Sequence, residues 1–126
     1  MPRPRRFEDD VLAAIRDGKI LRIRAGTVPH RFIGIWVVVV QRRVFVRSWS
    51  LKPRSWYRTF LKAPEGAVRV GDREVLVRAV QTRSERLKDA VDKAYLQKYN
   101  TPASIKWARG LSRPKSRGTT TELVPL

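Results

Sequence analysis

The sequence predicts one mainly β domain of the α+β class, an antiparallel sheet or barrel with a short N-terminal helix and with C-terminal helices. Three observations support this prediction. Residues 19–80 are dominated by strand patterns, short turns join those patterns, and the longest helical pattern lies outside this region. A chain of 126 residues can enclose one hydrophobic core, so we expect a single domain over residues 1–126.

The first predicted element is a short amphipathic helix. Phe7, Val11 and Ile15 recur at helical spacing, with acidic residues at the start of the pattern and Gly18 just after its end. Acids in the first turn and a glycine after the last one are typical of helix termini. Residues 1–6 before this helix are a basic arm, and the absence of an apolar stretch after them indicates that they are not a signal peptide.

Two strand pairs follow a first strand over residues 21–25, in which apolar residues alternate with arginines. The apolar run 32–40 predicts a strand buried on both faces, which turns at Gln41-Arg42 into a partner over 43–47. The second hairpin joins residues 67–70 to 73–80 through Gly71-Asp72, where glycine tolerates the positive φ of a tight turn. Four or five strands by residue 80 predict an antiparallel sheet or barrel.

The C-terminal third predicts helices. Thr82 to Glu85 matches a capping box and precedes one apolar helical face, formed by Leu87, Ala90, Val91, Ala94, Tyr95 and Tyr99. Residues 101–107 predict a second short helix. Residues 109–118 are basic, contain glycine and proline and lack periodicity, which predicts a loop, and residues 119–124 predict a final strand.

Basic residues dominate the composition. The chain has 28 basic and 11 acidic residues, a net charge of +17, and residues 18–64 contain eleven bases and no acid. Two interpretations stay open, an anion-binding surface and a solvated arginine-rich face. The chain has no cysteine, which favours a cytoplasmic location, and its longest apolar run is too short to span a membrane.

Few residues suggest protein-based catalysis. His30 is the only histidine, and its position beside a proline favours an ordinary polar role over that of a base. The acids lie in predicted caps, turns and a helix face, and no catalytic triad, carboxylate pair or metal-ligand spacing is present. If the protein is an enzyme, we expect a cofactor to carry the chemistry.

The best candidate site is the segment 47–58, where a strand passes through serines and bases into a short helix predicted to begin at Pro53. Hydroxyls and cations near a helix N-terminus can bind a phosphate. Trp49 and Trp56 either stack on a planar ligand or, the interpretation we favour, pack in the core. The candidate ligand-binding residues are Arg47, Ser48, Lys52, Arg54, Ser55, Trp56 and Arg58.

A family resemblance rests on four segments, which are residues 30–40, 43–48, 55–58 and 68–80. Together they resemble a bacterial family, domain of unknown function 2255, over about residues 18 to 100. That family in turn resembles the flavin-binding split-barrel proteins, which include pyridoxamine-phosphate oxidases and deazaflavin-dependent reductases. Residues 56–59, Trp-Tyr-Arg-Thr, resemble the Trp-Tyr-His-Asn stretch of those reductases and depart from it at the last two positions.

The resemblance implies an antiparallel split β-barrel that binds FMN or a deazaflavin between two subunits of a homodimer. In the split-barrel proteins, basic and hydroxyl side chains after the second hairpin strand hold the cofactor phosphate. They correspond here to Arg47, Ser48, Lys52, Arg54 and Ser55. The expected function is that of a redox protein with an unknown substrate, and enzymatic turnover is left open.

The alternative is a non-enzymatic nucleic-acid-binding domain. Basic stretches interleaved with tryptophan and tyrosine can neutralise a phosphate backbone and stack on bases. The basic C-terminal segment favours this alternative through Lys106, Arg109, Arg113, Lys115 and Arg117.

Overall fold

The computed structural model describes residues 6–26 and 31–126. His30 and all of the basic arm except Arg6 lie outside the described residues. The strands are β1 Ile20–Ala25, β2 Ile33–Trp36, β3 Val38–Val40, β4 Arg43–Val46, β5 Glu65–Val70, β6 Arg73–Gln81 and β7 Thr121–Pro125. The helices are α1 Asp9–Asp17, α2 Trp56–Lys62, α3 Glu85–Lys98, α4 Ile105–Leu111 and α5 Pro114–Arg117.

The seven described strands form one antiparallel sheet in the order β2-β1-β5-β6-β7-β4-β3. Its two end strands are consecutive in the chain and are separated only by Val37. The ends of the sheet are therefore covalently joined, and the sheet curls into a nearly closed barrel. The α+β class, the antiparallel barrel, the N-terminal helix and the C-terminal helices are confirmed.

Both predicted hairpins are confirmed. The first turns at Gln41 and Arg42, which adopt φ angles of 52° and 63°, and the second at Gly71, with φ of 62°. Two successive residues with positive φ are typical of type I′ turns, whose twist matches that of the adjoining strands. The first turn has this geometry without a glycine or asparagine.

The apolar run 32–40 is not one strand buried on both faces, as predicted, but two strands that meet at a corner. Before Val37, strand β2 pairs with β1, and after Val37, strand β3 pairs with β4. Side chains satisfy the corner backbone: Val37 N–H donates to Tyr99 Oη (3.0 Å), and Lys98 Nζ donates to Val37 O (2.8 Å). Because the barrel is open beside β2, Ile33 is exposed.

Two hydrophobic cores stabilise the fold. The first fills the barrel with residues such as Ile23, Val46 and Val68, and α1 and Phe60 of α2 close it. The second lies between the other face of β3 and β4 and the C-terminal helices, and contains Phe45 and Tyr95. The predicted helix face on α3 is therefore confirmed as a packing surface.

The predicted loop 109–118 is wrong, because α4 continues to Leu111 and α5 follows it. Tertiary contacts override the weak local signal: Leu111 is buried in the second core, and Arg117 forms ion pairs with α3. Three helix starts also differ from the prediction. Helix α2 is capped by Ser55 and not begun at Pro53, α3 is capped by Ser84 and not Thr82, and α4 begins at Ile105.

None of the helices in the described part of the chain is both long and apolar enough to cross a membrane.

Candidate functional site: a cleft lined by four tryptophans

A cleft opens where β2 and the chain after β4 separate. The ladder between β3 and β4 starts at Val38 opposite Phe45 and does not extend into β2. Beyond β4 the chain bonds instead to the residues before β7, with Ser48 N–H donating to Thr119 Oγ1 at 2.8 Å. Strand β2 pairs with β1 along one edge only, and its other edge has no strand partner among the described residues. The split in the barrel lies along this free edge.

The cleft has a volume of about 680 Å³, within the range of small-molecule sites. Its apolar lining comes from β2, from Ile20 of β1 and from Leu111 of α4. All four tryptophans of the chain line it, and they are Trp36, Trp49, Trp56 and Trp107. They come from four different segments, so the fold brings together residues that are far apart in the sequence.

Two of the four tryptophans are held in place by aromatic neighbours. Trp36 stacks on Tyr99, with ring centroids 4.0 Å apart and an interplanar angle of 2°. Trp56 packs edge-on against Phe60, which belongs to the barrel core. The predicted packing role of Trp56 is therefore combined with a place on the cleft wall.

The other two tryptophans, Trp49 and Trp107, form an exposed rim. Their rings meet edge to face at 5.7 Å, and the residues are 48% and 50% exposed. Trp49 is not packed in the core. Its ring lies against Gly110, where a Cβ atom would come within 2.5 Å of Trp49 Cη2. The absence of a side chain at Gly110 lets Trp49 lie against α4.

Lys52 and Arg54 supply positive charge to the cleft. Both are exposed, both line it, and neither has an ion-pair partner within the described ranges. No aspartate, glutamate or histidine is among the described lining residues. The cleft is thus an apolar, aromatic surface with uncompensated cations, which suits a planar ligand that carries an anionic group.

Arg47 has a different environment from the one predicted. Its side chain is 0% exposed, and each guanidinium nitrogen donates to the protein. Nε bonds Thr120 Oγ1 (2.8 Å), Nη1 bonds Asp92 and Leu111 O (3.0 Å), and Nη2 bonds Lys88 O (2.9 Å). Arg47 is therefore a buried link between β4, α3, α4 and the chain before β7, and its charge is already satisfied.

The remaining predicted residues divide between the cleft wall and the surface. Ser48 and Ser55 line the cleft, but their hydroxyls already bond the backbone of Ser50 and of Arg58. The Arg58 side chain is exposed and is not among the lining residues. Of the predicted cations, only Lys52 and Arg54 combine a place in the cleft with a free charge.

Sequence reasoning missed the opposite wall of the cleft. Ile20, Ile33, Gly34 and Trp36 come from β1 and β2, and Trp107 comes from α4. The apolar run 32–40 contains no sequence feature that indicates a free edge on β2. The four tryptophans were the available signal in the sequence.

The described residues contain no cluster of three or more histidines, cysteines, aspartates or glutamates that could hold a metal ion. Behind the Trp36 wall, burial raises the pKa of Tyr99 to about 12 and lowers the pKa of Lys98 to about 8. Both groups bond to the Val37 corner. Their contacts indicate a structural role.

A second cavity, of about 520 Å³, lies between β7, the β3–β4 hairpin and the residues just before α1, and it also has arginines in its wall. There Arg43 is paired with Glu122 through two hydrogen bonds of 3.0 and 2.7 Å. Arg42 of the same wall is paired with Asp9, so two of the three arginines that line this cavity already have an ion-pair partner. We therefore regard the four-tryptophan cleft as the better ligand site.

The basic C-terminal segment is only partly available to a polyanion. Arg117 forms ion pairs with Glu85, Asp89 and Asp92 on α3, and these contacts raise its pKa, the hydrogen bond with Glu85 most of all. The other four predicted cations are exposed and have no ion pair in the described part of the chain: Lys106, Arg109, Arg113 and Lys115.

One family model matches residues 10–123, and its description is an uncharacterised protein conserved in bacteria, DUF2255. The match covers the cleft, the barrel except the last two residues of β7, and the five described helices except the first residue of α1. It agrees with the family resemblance of the sequence segments. No curated protein matches the chain.

Proposed function

The chain belongs to the bacterial family DUF2255, and on that premise we propose that the four-tryptophan cleft binds a planar, phosphate-bearing cofactor of the flavin or deazaflavin class. The observation that carries the proposal is the convergence of every tryptophan of the chain on one cleft. Four large aromatic rings that serve only packing would be expected inside the two cores, whereas two of these are about half exposed.

The residues present fit such a group in both of its parts. The apolar edge of β2 and the tryptophans offer flat surfaces to a ring system. Lys52 and Arg54 offer unpaired cations to a phosphate, and no described acid in the cleft opposes them. Hydrogen bonds to charged groups contribute about 1.5–3 kcal/mol each. Arg47 has no part in this binding, since its guanidinium already bonds the protein.

When bound, a cofactor of this class would supply hydride or electron transfer, which no described side chain of the cleft can perform. The side chains of the protein would bind and orient it: Lys52 and Arg54 would hold the phosphate, and Trp49 and Trp107 would shield the ring from water. Enzymatic turnover follows only if a substrate also enters the cleft.

A homodimer is part of this proposal. Five large apolar residues around the cleft are exposed in the single chain, and they are Ile20, Ile33, Trp49, Leu51 and Trp107. Several exposed apolar residues around one cleft are typical of protein interfaces. A second copy that covers part of it would also enclose the cleft. This part of the proposal is contradicted if light scattering gives the mass of one chain, 14.6 kDa, at every protein concentration.

Intrinsic fluorescence offers a direct test, because every tryptophan lies in the proposed site. Addition of FMN or of a deazaflavin phosphate is expected to quench most of the tryptophan emission through energy transfer to the cofactor. The Lys52→Ala/Arg54→Ala variant should bind at least about tenfold more weakly, from the loss of hydrogen bonds to a charged phosphate.

Arg83→Ala is the matched control, since Arg83 is exposed, lies outside the cleft and has no ion pair in the described chain. It should bind like the wild type. The proposal is wrong if neither cofactor changes the emission at millimolar concentration, or if the cation double variant binds with wild-type affinity. A chromophore released from the purified protein by denaturation would identify the member of the class.

A further inference from the structure

A second group of unpaired arginines lies on the outer face of the barrel, across β1 and β5. Arg22 and Arg69 are Cα partners in the antiparallel ladder between these strands, so their side chains leave the same face side by side. Both residues are exposed, and neither has an ion pair in the described part of the chain. Like charges directly opposite each other in a sheet are destabilising, so this pair is unfavourable without an anion.

The neighbours of the pair do not neutralise it. Glu74 is the partner of Arg69 on β6, but its carboxylate lies 3.7 Å from Arg24 Nη1. The Nε of Arg24 is buried and has no hydrogen-bond partner in the described structure. The ion pair of Glu74 is thus with Arg24, and neither Arg22 nor Arg69 has an ion pair in the described residues.

Phe32 organises the group further. The guanidinium carbons of Arg24 and Arg69 lie 5.0 and 4.8 Å from the centre of its ring. Such contacts hold a flexible arginine in place, which lowers the entropy lost when a ligand binds. Phe32 therefore holds the side chain of Arg69, the strand partner of Arg22, in place.

We propose that Arg22 and Arg69, neither of which lines the four-tryptophan cleft, form a phosphate-binding site on the outer face of the barrel. Two adjacent guanidinium groups can each donate paired hydrogen bonds to phosphate oxygens. The phosphate removes the repulsion between them. The site takes inorganic phosphate or the phosphate of a small monoester, and it does not depend on the proposed cofactor.

The test measures binding of inorganic phosphate and of AMP, a phosphate monoester, by calorimetry at fixed ionic strength. The Lys52→Ala/Arg54→Ala variant serves as the background, so that the cleft contributes nothing. We expect one of the two probes to bind, and the tighter one identifies the source of the phosphate. Adding Arg22→Ala or Arg69→Ala should weaken it at least about tenfold, whereas Arg83→Ala should not.

Thermal unfolding provides a second measurement. Without phosphate, Arg22→Ala should melt at or above the background temperature, because it removes the repulsion and leaves the contact between Arg69 and Phe32 intact. With phosphate, only proteins that keep both arginines should gain stability. The proposal is overturned if neither probe binds, or if phosphate stabilises the arginine variants as much as their background. Failure of the cofactor test would leave these outcomes unchanged.

Discussion

Replacement of Arg47 by alanine is expected to destabilise the fold strongly. The substitution leaves a void within the contacts of β4, α3 and α4, and it removes the donor of four hydrogen bonds. The carbonyls of Leu111 and Lys88 then lose a partner. Breaking a buried charge pair by removing one member costs about 3–5 kcal/mol.

The lower end of that range applies here, because Asp92 is 24% exposed and keeps its contact with Arg117. We therefore expect a loss of about 3 kcal/mol in the free energy of unfolding. For a domain of this size the loss corresponds to a melting temperature lower by about 10 °C. Arg47→Lys should recover only a small part, since one ammonium nitrogen cannot replace the three separate donor nitrogens of the guanidinium.

Urea unfolding followed by circular dichroism measures the effect. Arg58→Ala is the matched control, because Arg58 lies near Arg47 in sequence and its side chain is exposed. It should change the free energy of unfolding by less than about 0.5 kcal/mol. A loss below about 1 kcal/mol for Arg47→Ala would refute the structural role and return Arg47 to the candidate ligands.

Three further outcomes follow from the structure. Gly110→Ala should leave stability unchanged or raise it by up to about 1 kcal/mol through helix propensity. It should also displace Trp49, shift the tryptophan emission and weaken cofactor binding; unchanged emission and affinity would contradict the contact between Trp49 and α4. Because burial lowers the pKa of Lys98 to about 8 from 10.5, the unfolded chain holds this proton more tightly, and stability should rise between about pH 8 and 10. Urea unfolding of the wild type and of Lys98→Met over this pH range measures the effect. The free energy of unfolding of the wild type should rise by about 1–2 kcal/mol relative to the variant, after allowance for solvent screening. A difference that does not change with pH would contradict the burial of Lys98. Random DNA or RNA should show no submicromolar binding at about 0.15 M salt, where exposed charges are screened. Fluorescence anisotropy would favour the nucleic-acid alternative if log K fell with log salt concentration at a slope of about −5 and if substitution of Arg113 and Lys115 abolished the binding.

The sequence was most informative where structure is local. The turns at Gln41 and Gly71 follow from short-range patterns between two strands, and α3 follows from one apolar face. The split of residues 32–40 into two strands was not predictable in this way. It depends on Tyr99 and Lys98, which lie about sixty positions further along the chain and satisfy the backbone of Val37.

The candidate site was predicted in part for the same reason. Lys52, Arg54, Ser55 and Trp56 are neighbours in sequence, and the cleft contains all of them. The role of Arg47 was not predictable, because the residues that bond its side chain are 41 to 73 positions away. A run of basic residues shows that charge is present but not which charges are already paired.

The position of β7 has a consequence for how the chain reaches this structure. It lies between β4 and β6, and its contacts with β4 join Val46 to Thr121. The two halves of the sheet acquire a continuous ladder only when this distant strand inserts between them. Loop closure over such separations delays folding, so the barrel should form more slowly than a helical bundle of similar length. A chain in which β7 is not yet inserted would present unpaired edges on β4 and β6, and such edges favour aggregation.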